Sequence, residues 1–189
     1  MTAMPSDRPP GTVLDACCLL NLRAGDMLDA IAAILGPPLI VAEAVGQEAL
    51  FLRRGGGGED ADERDPLDIM SWVARGTLSI VSLEESELAT FLAYAGQVDS
   101  GEAATCALAT HRRLAVATDD RKARRLLGAH APDLRLYSTL DLLKLWADSG
   151  GIAAVALART LLAVRDRGNF LPPKADPLRE WWHAGIQFP

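Results

Sequence analysis

The chain has 189 residues, 49% of them apolar, and a formal net charge of −6. This is enough apolar material for the core of one domain. No apolar stretch approaches the roughly 20 residues that cross a bilayer, and residues 1–10 lack the apolar segment of a secretory signal, so we expect a cytoplasmic protein with no membrane partner. The acidic charge argues mildly against a large phosphate-tracking surface.

Strand-like and helix-like segments alternate along the chain. The predicted strands are residues 12–14, 39–41, 77–83, 114–117 and 134–137. The predicted helices are residues 19–22, 27–35, 42–52, 66–75, 84–94, 99–111, 120–127, 140–147, 152–167 and 178–183. This alternation predicts an α/β fold with a central, mostly parallel sheet covered by helices on both faces.

Two segments fall outside that regular pattern. Residues 53–65 contain four consecutive glycines followed by acids, and such a composition predicts a mobile loop. After the glycines at 150 and 151, the chain continues as two further helices. We therefore expect a domain at residues 1–150 and a C-terminal helical extension at 151–189 that packs on the domain or on a partner.

The three cysteines, Cys17, Cys18 and Cys106, are too few and too irregularly spaced for a disulfide framework. They have neither the CxxC spacing nor the neighbouring histidines of a zinc site. Small buried residues are the simplest interpretation, and a redox or metal-ligand role is the alternative.

Acidic residues stand where two of the predicted strands end. Asp15 ends the first strand, and Asp119 and Asp120 follow the strand at 114–117. Because ligands of parallel α/β sheets bind beyond the carboxyl ends of the strands, these acids are candidates for metal or phosphate chemistry. An aspartate in an ordinary turn is the alternative for each of them.

Two further acidic positions lie on predicted helices. Asp99 and Glu102 have the spacing of a capping box at a helix start, which needs no other role, although a carboxylate pair on a first turn can also bind a metal ion. Glu48, which follows Glu43 by five residues, is by itself typical of an exposed helix glutamate.

Taken together, these segments resemble the PIN-domain ribonucleases, which include the VapC-type toxins of bacterial toxin–antitoxin pairs. The resemblance is closest to a longer branch with a Gly-Glu-Ala signature and covers roughly residues 12–150. Four short motifs carry it in order: TVLDACCLLNL at 12–22, AVGQE at 44–48, DSGEA at 99–103 and ATDDRKARR at 117–125.

The resemblance implies a PIN-like three-layer α/β/α fold and a metal-dependent ribonuclease. The catalytic acids that it implies are Asp15, Glu48, Glu102 and Asp120. Of these, Asp15, Glu102 and Asp120 would hold the metal ion, with Asp99 and Asp119 as helpers. Oxygen ligands suit Mg²⁺ or Mn²⁺, whereas zinc is disfavoured because no histidine cluster is present.

Basic residues follow the fourth motif directly: Arg121, Lys122, Arg124 and Arg125. They predict contacts to RNA phosphates, or else a solvated helix face. The first motif departs from the family, because Ala16, Cys17 and Cys18 stand where relatives often carry Ser, Thr or Asn. A polar group that could orient Asp15 is therefore missing or replaced by a thiol.

Two other functions compete with the nuclease. The first is a catalytically weak module that binds an antitoxin or another protein. Toxins of this type usually dimerise and accept a partner peptide, so the resemblance also implies a homodimer. Trp181 and Trp182 would then contribute to a partner surface, or alternatively cover the core. A phosphatase with an aspartyl nucleophile is the second, but Asp15 lacks the second acid two residues later.

Overall fold

The structure is a computed structural model that describes residues 9–36, 38–47, 51–53 and 63–187. Its strands are β1 (Thr12–Leu14), β2 (Leu39–Ala42), β3 (Phe51–Arg53), β4 (Arg64–Pro66), β5 (Leu78–Val81), β6 (Ala115–Ala117) and β7 (Leu136–Tyr137). Five of them form one sheet in the order β5-β2-β1-β6-β7, and every pair in it is parallel. The strands β3 and β4 form a separate antiparallel pair.

Helices connect the strands and cover the sheet. They are α1 (Ala16–Ala24), α2 (Leu28–Leu35), α3 (Glu43–Gln47), α4 (Met70–Ala74), α5 (Glu85–Ala95), α6 (Ser100–Arg112), α7 (Arg121–His130), α8 (Thr139–Asp148), α9 (Ala154–Arg167) and α10 (Arg179–Ile186). Within the described residues, no helix has the length and apolarity that a membrane span requires.

The sheet separates two apolar clusters. Val13 and Val116, which pair across β1 and β6, face the cluster formed with α5, α6 and α7. Leu14 and Ala117, one residue further along the same strands, face the larger cluster formed with α1, α2 and α8. Because successive strand residues point to opposite faces, this alternation produces a three-layer α/β/α arrangement. The predicted fold class is confirmed.

The order of the strands creates a switch point beside β1. The chain first adds β2 and then β5 on one side of β1, and it later returns to add β6 and β7 on the other side. The connections that follow β1 and β6 therefore leave the sheet on different sides, and a crevice lies between the carboxyl ends of these two strands. In open α/β sheets, such a crevice is where ligands bind.

The C-terminal helices pack on the rest of the chain. Leu161 and Val164 of α9 and Trp182 of α10 are buried in the same cluster as Leu19 and Leu22 of α1. The helix α9 packs against α1, and α10 packs against α9. The domain boundary at residue 150 stays a prediction.

Two local predictions were wrong. The helix predicted at 42–52 ends as α3 at Gln47, and Phe51–Arg53 instead form β3. Its partner β4 (Arg64–Pro66) lies at the end of the segment predicted as a loop, of which residues 54–62 are outside the described residues. Pairing with a distant segment overrides local helical spacing here.

The helix predicted at 66–75 is also shorter than expected, since α4 begins only at Met70. The side chain of Asp68 accepts a hydrogen bond from the Met70 N–H at 3.1 Å. Aspartate often makes this local bond in turns, which delays the start of a helix.

We predict that Leu161→Ala lowers the free energy of unfolding by about 2–5 kcal/mol, because a fully buried leucine leaves a cavity when truncated. Leu171→Ala is the matched control in the same C-terminal segment: that side chain is 69% exposed, and its loss should change stability by no more than about 0.5 kcal/mol. Equilibrium denaturation in urea measures both. Equal effects of the two substitutions would show that α9 is not part of the cooperative core.

Candidate metal centre

Acidic side chains meet at the carboxyl ends of β1 and β6. Asp15 follows β1 and is 3% exposed, and Asp119 and Asp120 follow Thr118 at the end of β6. The backbone N–H of Asp15 donates to the Ala117 carbonyl oxygen at 3.0 Å, which continues the strand pairing into the site. The pairing of β1 with β6 thus fixes the spacing between these acids.

Three of the acids are also the N-caps of helices. Asp15 caps α1 by accepting from the Cys18 N–H, Asp99 caps α6 by accepting from the Glu102 N–H, and Asp120 caps α7 by accepting from the N–H groups of two residues of its first turn. All these bonds end on Oδ1, at 2.6–2.8 Å. The partial positive charge of each helix start stabilises the carboxylate that caps it.

Glu102 lies near these carboxylates, and we call Asp15, Asp99, Glu102 and Asp120 together the acidic cluster. Burial raises its pKa, as do the negative charges of Asp99, Asp120 and Asp15, and the result is a pKa of about 7 instead of 4.5. The backbone N–H of Asp99 acts in the opposite direction and lowers the pKa. Of the two contacts of the predicted capping box, the structure has the one in which Asp99 accepts from the Glu102 N–H. Capping and proximity to the acidic cluster therefore coexist at Glu102.

Asp15 is held in place by the first turn of α1 and by the end of β6. Burial raises its pKa above the ordinary value, although hydrogen bonds from the Cys18 N–H and the Thr118 hydroxyl lower it. The thiol of Cys17 donates to Asp15 Oδ1 at 3.1 Å. The sequence left open whether the polar group that orients Asp15 is missing or replaced by a thiol, and the structure has a thiol at this place.

Asp119 has different surroundings from its neighbour Asp120. Its Oδ1 accepts from the Thr139 N–H at 2.8 Å, and its Oδ2 accepts from the Thr139 hydroxyl at 2.5 Å and from the Asn21 amide at 3.2 Å. Asn21 and Thr139 were not singled out from the sequence. Their distance from Asp119 along the chain, 98 and 20 residues, leaves no local signal.

The charge of the cluster fits a divalent cation. After burial, which is the largest cause, the negative charges of Asp99, Asp120 and Asp15 also raise the pKa of Glu102. Neighbouring like charges repel one another unless protons or a cation offset them. Carboxylate oxygens are the ligands that Mg²⁺ and Mn²⁺ prefer.

The basic residues after Asp120 lie at the start of α7. Arg121, Lys122 and Arg125 are exposed. Arg124 is half-buried, and its guanidinium donates to the Thr118 carbonyl oxygen at 3.1 Å. Arg124 therefore ties α7 to the end of β6, whereas the other three side chains point to solvent beside the acidic cluster.

The remaining predicted acid, Glu48, lies outside the described residues. Glu43, five residues earlier, begins α3 directly after β2 and is exposed at the carboxyl end of that strand. Its carboxylate accepts from the Gln47 side chain at 3.1 Å.

Comparison with known proteins gives one match. A family model described as PIN domain matches residues 11–175, which includes Asp15, Glu102, Asp120 and the whole of α9. No curated protein and no solved structure matches the sequence.

We predict that Asp119→Asn lowers the free energy of unfolding by about 2 kcal/mol, because an amide replaces a charged acceptor that faces at least three donors. Asp120→Asn is the matched control one residue away. Asparagine caps a helix as well as aspartate does, so stability should change by no more than about 0.5 kcal/mol. Urea denaturation at neutral pH distinguishes them, and an Asp120→Asn protein that is the less stable of the two would contradict these roles.

We also predict that metal-free protein loses stability, relative to Glu102→Gln, as the pH rises from 4.5 to about 7. The pKa of Glu102 is higher in the folded than in the unfolded chain, so the folded state holds the proton more tightly and is favoured at low pH. Thermal melting of both proteins across this range, with a chelator present, measures the difference. A gap that is constant with pH, or that changes in the opposite direction, would contradict the raised pKa.

Proposed function

This chain belongs to the PIN-domain family of nucleases, and we propose that it is a divalent-metal-dependent ribonuclease that cleaves RNA phosphodiester bonds. The observation that carries the proposal is the convergence of Asp15, Glu102 and Asp120 at the switch point of the sheet. These residues come from three distant parts of the chain, and they lie near enough that, beside the larger effect of burial, the charges of Asp120 and Asp15 raise the pKa of Glu102. A bound cation would offset this repulsion.

We assign the metal to Asp15, Glu102 and Asp120, with Asp99 as a helper, and we expect Mg²⁺ or Mn²⁺. The hydrogen bonds favour Asp120 over Asp119. Both oxygens of Asp119 are engaged by Thr139 and Asn21, whereas the capping bonds of Asp120 use only Oδ1. A divalent ion bound here supplies polarisation of a phosphate oxygen and a more acidic water.

The protein's own groups would hold the reacting parts in position. The first turn of α1 and the Thr118 hydroxyl fix the Asp15 carboxylate, and the capping bonds fix that of Asp120. Glu102, with its pKa of about 7, exchanges a proton readily near neutral pH, and it would lose that proton when a cation binds.

RNA would approach along the start of α7. The exposed side chains of Arg121, Lys122 and Arg125 follow Asp120 directly and offer charges to the phosphate backbone. Such contacts position a nucleic acid without selecting its sequence. Arg124 contributes indirectly in this proposal, because its bond to the Thr118 carbonyl holds the α7 start beside the acids. A toxin role, an antitoxin partner and a homodimer stay predictions that follow from the family resemblance.

We predict that the purified protein cleaves single-stranded RNA with Mn²⁺ or Mg²⁺ and that a chelator abolishes the reaction. Asp15→Asn, Glu102→Gln and Asp120→Asn should each reduce cleavage by about 100-fold or more, since even the outer partners of a metal ligand contribute about 10- to 100-fold. Labelled RNAs of varied sequence, resolved on a gel, measure the rates.

Asp133→Asn is the control for these variants, because it makes the same substitution at an exposed position outside the cluster. It should cleave at the wild-type rate. The ribonuclease is ruled out if wild-type protein with Mn²⁺ leaves all RNAs intact, or if Asp15→Asn cleaves as fast as the control.

A further inference from the structure

A second set of metal ligands overlaps the acidic cluster at the first turn of α1. It consists of the Asp15 carboxylate and the thiols of Cys17 and Cys18, and the three donor atoms all lie within 4.8 Å of one another. Among the residues that the structure describes, this is the one group of three or more acidic, thiol or imidazole side chains so close together. We name it the thiol triad.

The spacing of the thiol triad suits a tetrahedral ion. Zinc binds sulfur at about 2.3 Å and oxygen at about 2.0 Å, so ligand atoms of one tetrahedron lie roughly 3.3–3.8 Å apart. The thiol of Cys17 already lies 3.1 Å from Asp15 Oδ1. The other donor atoms of the triad lie within 4.8 Å of one another, and the helix start holds the backbone of all three residues.

The donors of the triad differ in kind from those of the acidic cluster. Thiolates are soft ligands that select zinc and similar ions, whereas Mg²⁺ and Mn²⁺ prefer oxygen. Binding would release one proton from each thiol to solvent as the divalent ion enters. The two thiolates balance the two positive charges, so the net charge of the buried group does not change.

We propose that Asp15, Cys17 and Cys18 form a binding site for a thiophilic divalent cation such as Zn²⁺, which competes with the hard ion of the acidic cluster for Asp15. Cys18 is fully buried and Cys17 half-buried, so the ion would enter from the Cys17 side. A fourth ligand position remains for water.

The consequence for activity rests on the proposed ribonuclease function. An ion held by the thiol triad removes Asp15 from the acidic cluster and leaves Glu102 and Asp120 without their third carboxylate. Zinc therefore inhibits cleavage by capturing a ligand. The cysteines after Asp15, a departure from the family pattern, would make this chain sensitive to zinc.

Titration of the metal-free full-length chain with Cd²⁺ alone tests the site without RNA, because thiolate-to-cadmium bonds absorb in the ultraviolet. Wild type should show the band with one ion per chain. Cys106→Ser, the control, keeps both triad thiols and should show the same band. Cys17→Ser keeps a donor to Asp15 but removes a soft ligand, and should bind Cd²⁺ at least about 10-fold more weakly. Cys18→Ser should behave in the same way.

The site is overturned if wild type shows no band, if Cys17→Ser binds as tightly as wild type, or if Cys106→Ser loses the signal.

Inhibition is measured separately, as Zn²⁺ titrated against Mn²⁺-dependent cleavage and scaled to each variant's own zinc-free rate. Half-inhibition of Cys17→Ser should need at least about 10-fold more Zn²⁺ than wild type, and equal sensitivity overturns the competition for Asp15. If wild type binds Cd²⁺ but cleaves no RNA, the proposed metal site stands and the proposed ribonuclease function is wrong.

Discussion

Repulsion between carboxylates at the end of the sheet is the constraint on which the site depends. The pairing of β1 with β6 brings Asp15 beside the turn that carries Asp119 and Asp120, and α6 adds Asp99 and Glu102. Three helix starts meet there and supply N–H groups to the capping acids, which offsets part of the negative charge. Burial and the remaining negative charge together raise the pKa of Glu102 to about 7.

The caps explain how the same residues can serve both structure and chemistry. A capping carboxylate uses one oxygen for the helix, and a metal ion needs only one more. Asp120 illustrates this, since its capping bonds use Oδ1, whereas Asp119 commits both oxygens to the start of α8 and to Asn21. Adjacent identical residues therefore have different roles, which their partners determine.

The sequence predicted what depends on short-range pattern. Alternating strands and helices indicated the layered fold, and acids at strand ends indicated where a ligand binds; the parallel neighbours β1 and β6 then brought Asp15 and Asp120 to one edge. Contacts between residues that are far apart in the sequence could not be predicted from a local pattern. The contact of Asp119 with Thr139, the pairing of β3 with β4, and the burial of Trp182 in the larger apolar cluster all depend on the folded chain.

For the thiols, the sequence left two interpretations open, small buried residues or a redox or metal-ligand role, and their arrangement in the fold bears on that choice. Cys17 and Cys18 were most simply interpreted as small buried residues, and Cys18 is indeed fully buried. Their position on the first turn of α1, however, places both sulfur atoms beside Asp15. The helix that Asp15 caps thus presents two kinds of ligand, hard and soft, around one carboxylate.

Proton release on Mn²⁺ binding is the most direct test of whether Glu102 and its neighbouring acids bind the metal ion. If Glu102 is a ligand and holds a proton with a pKa of about 7, Mn²⁺ must displace that proton at about pH 6. Calorimetric titrations at that pH, in two buffers with different heats of ionisation, measure the number of protons released per ion. We expect wild type to release close to one proton per ion. The release should be largely lost in Glu102→Gln and should fade as the pH rises well above the pKa. A heat that is independent of the buffer, or an equal release from Glu102→Gln, would contradict it.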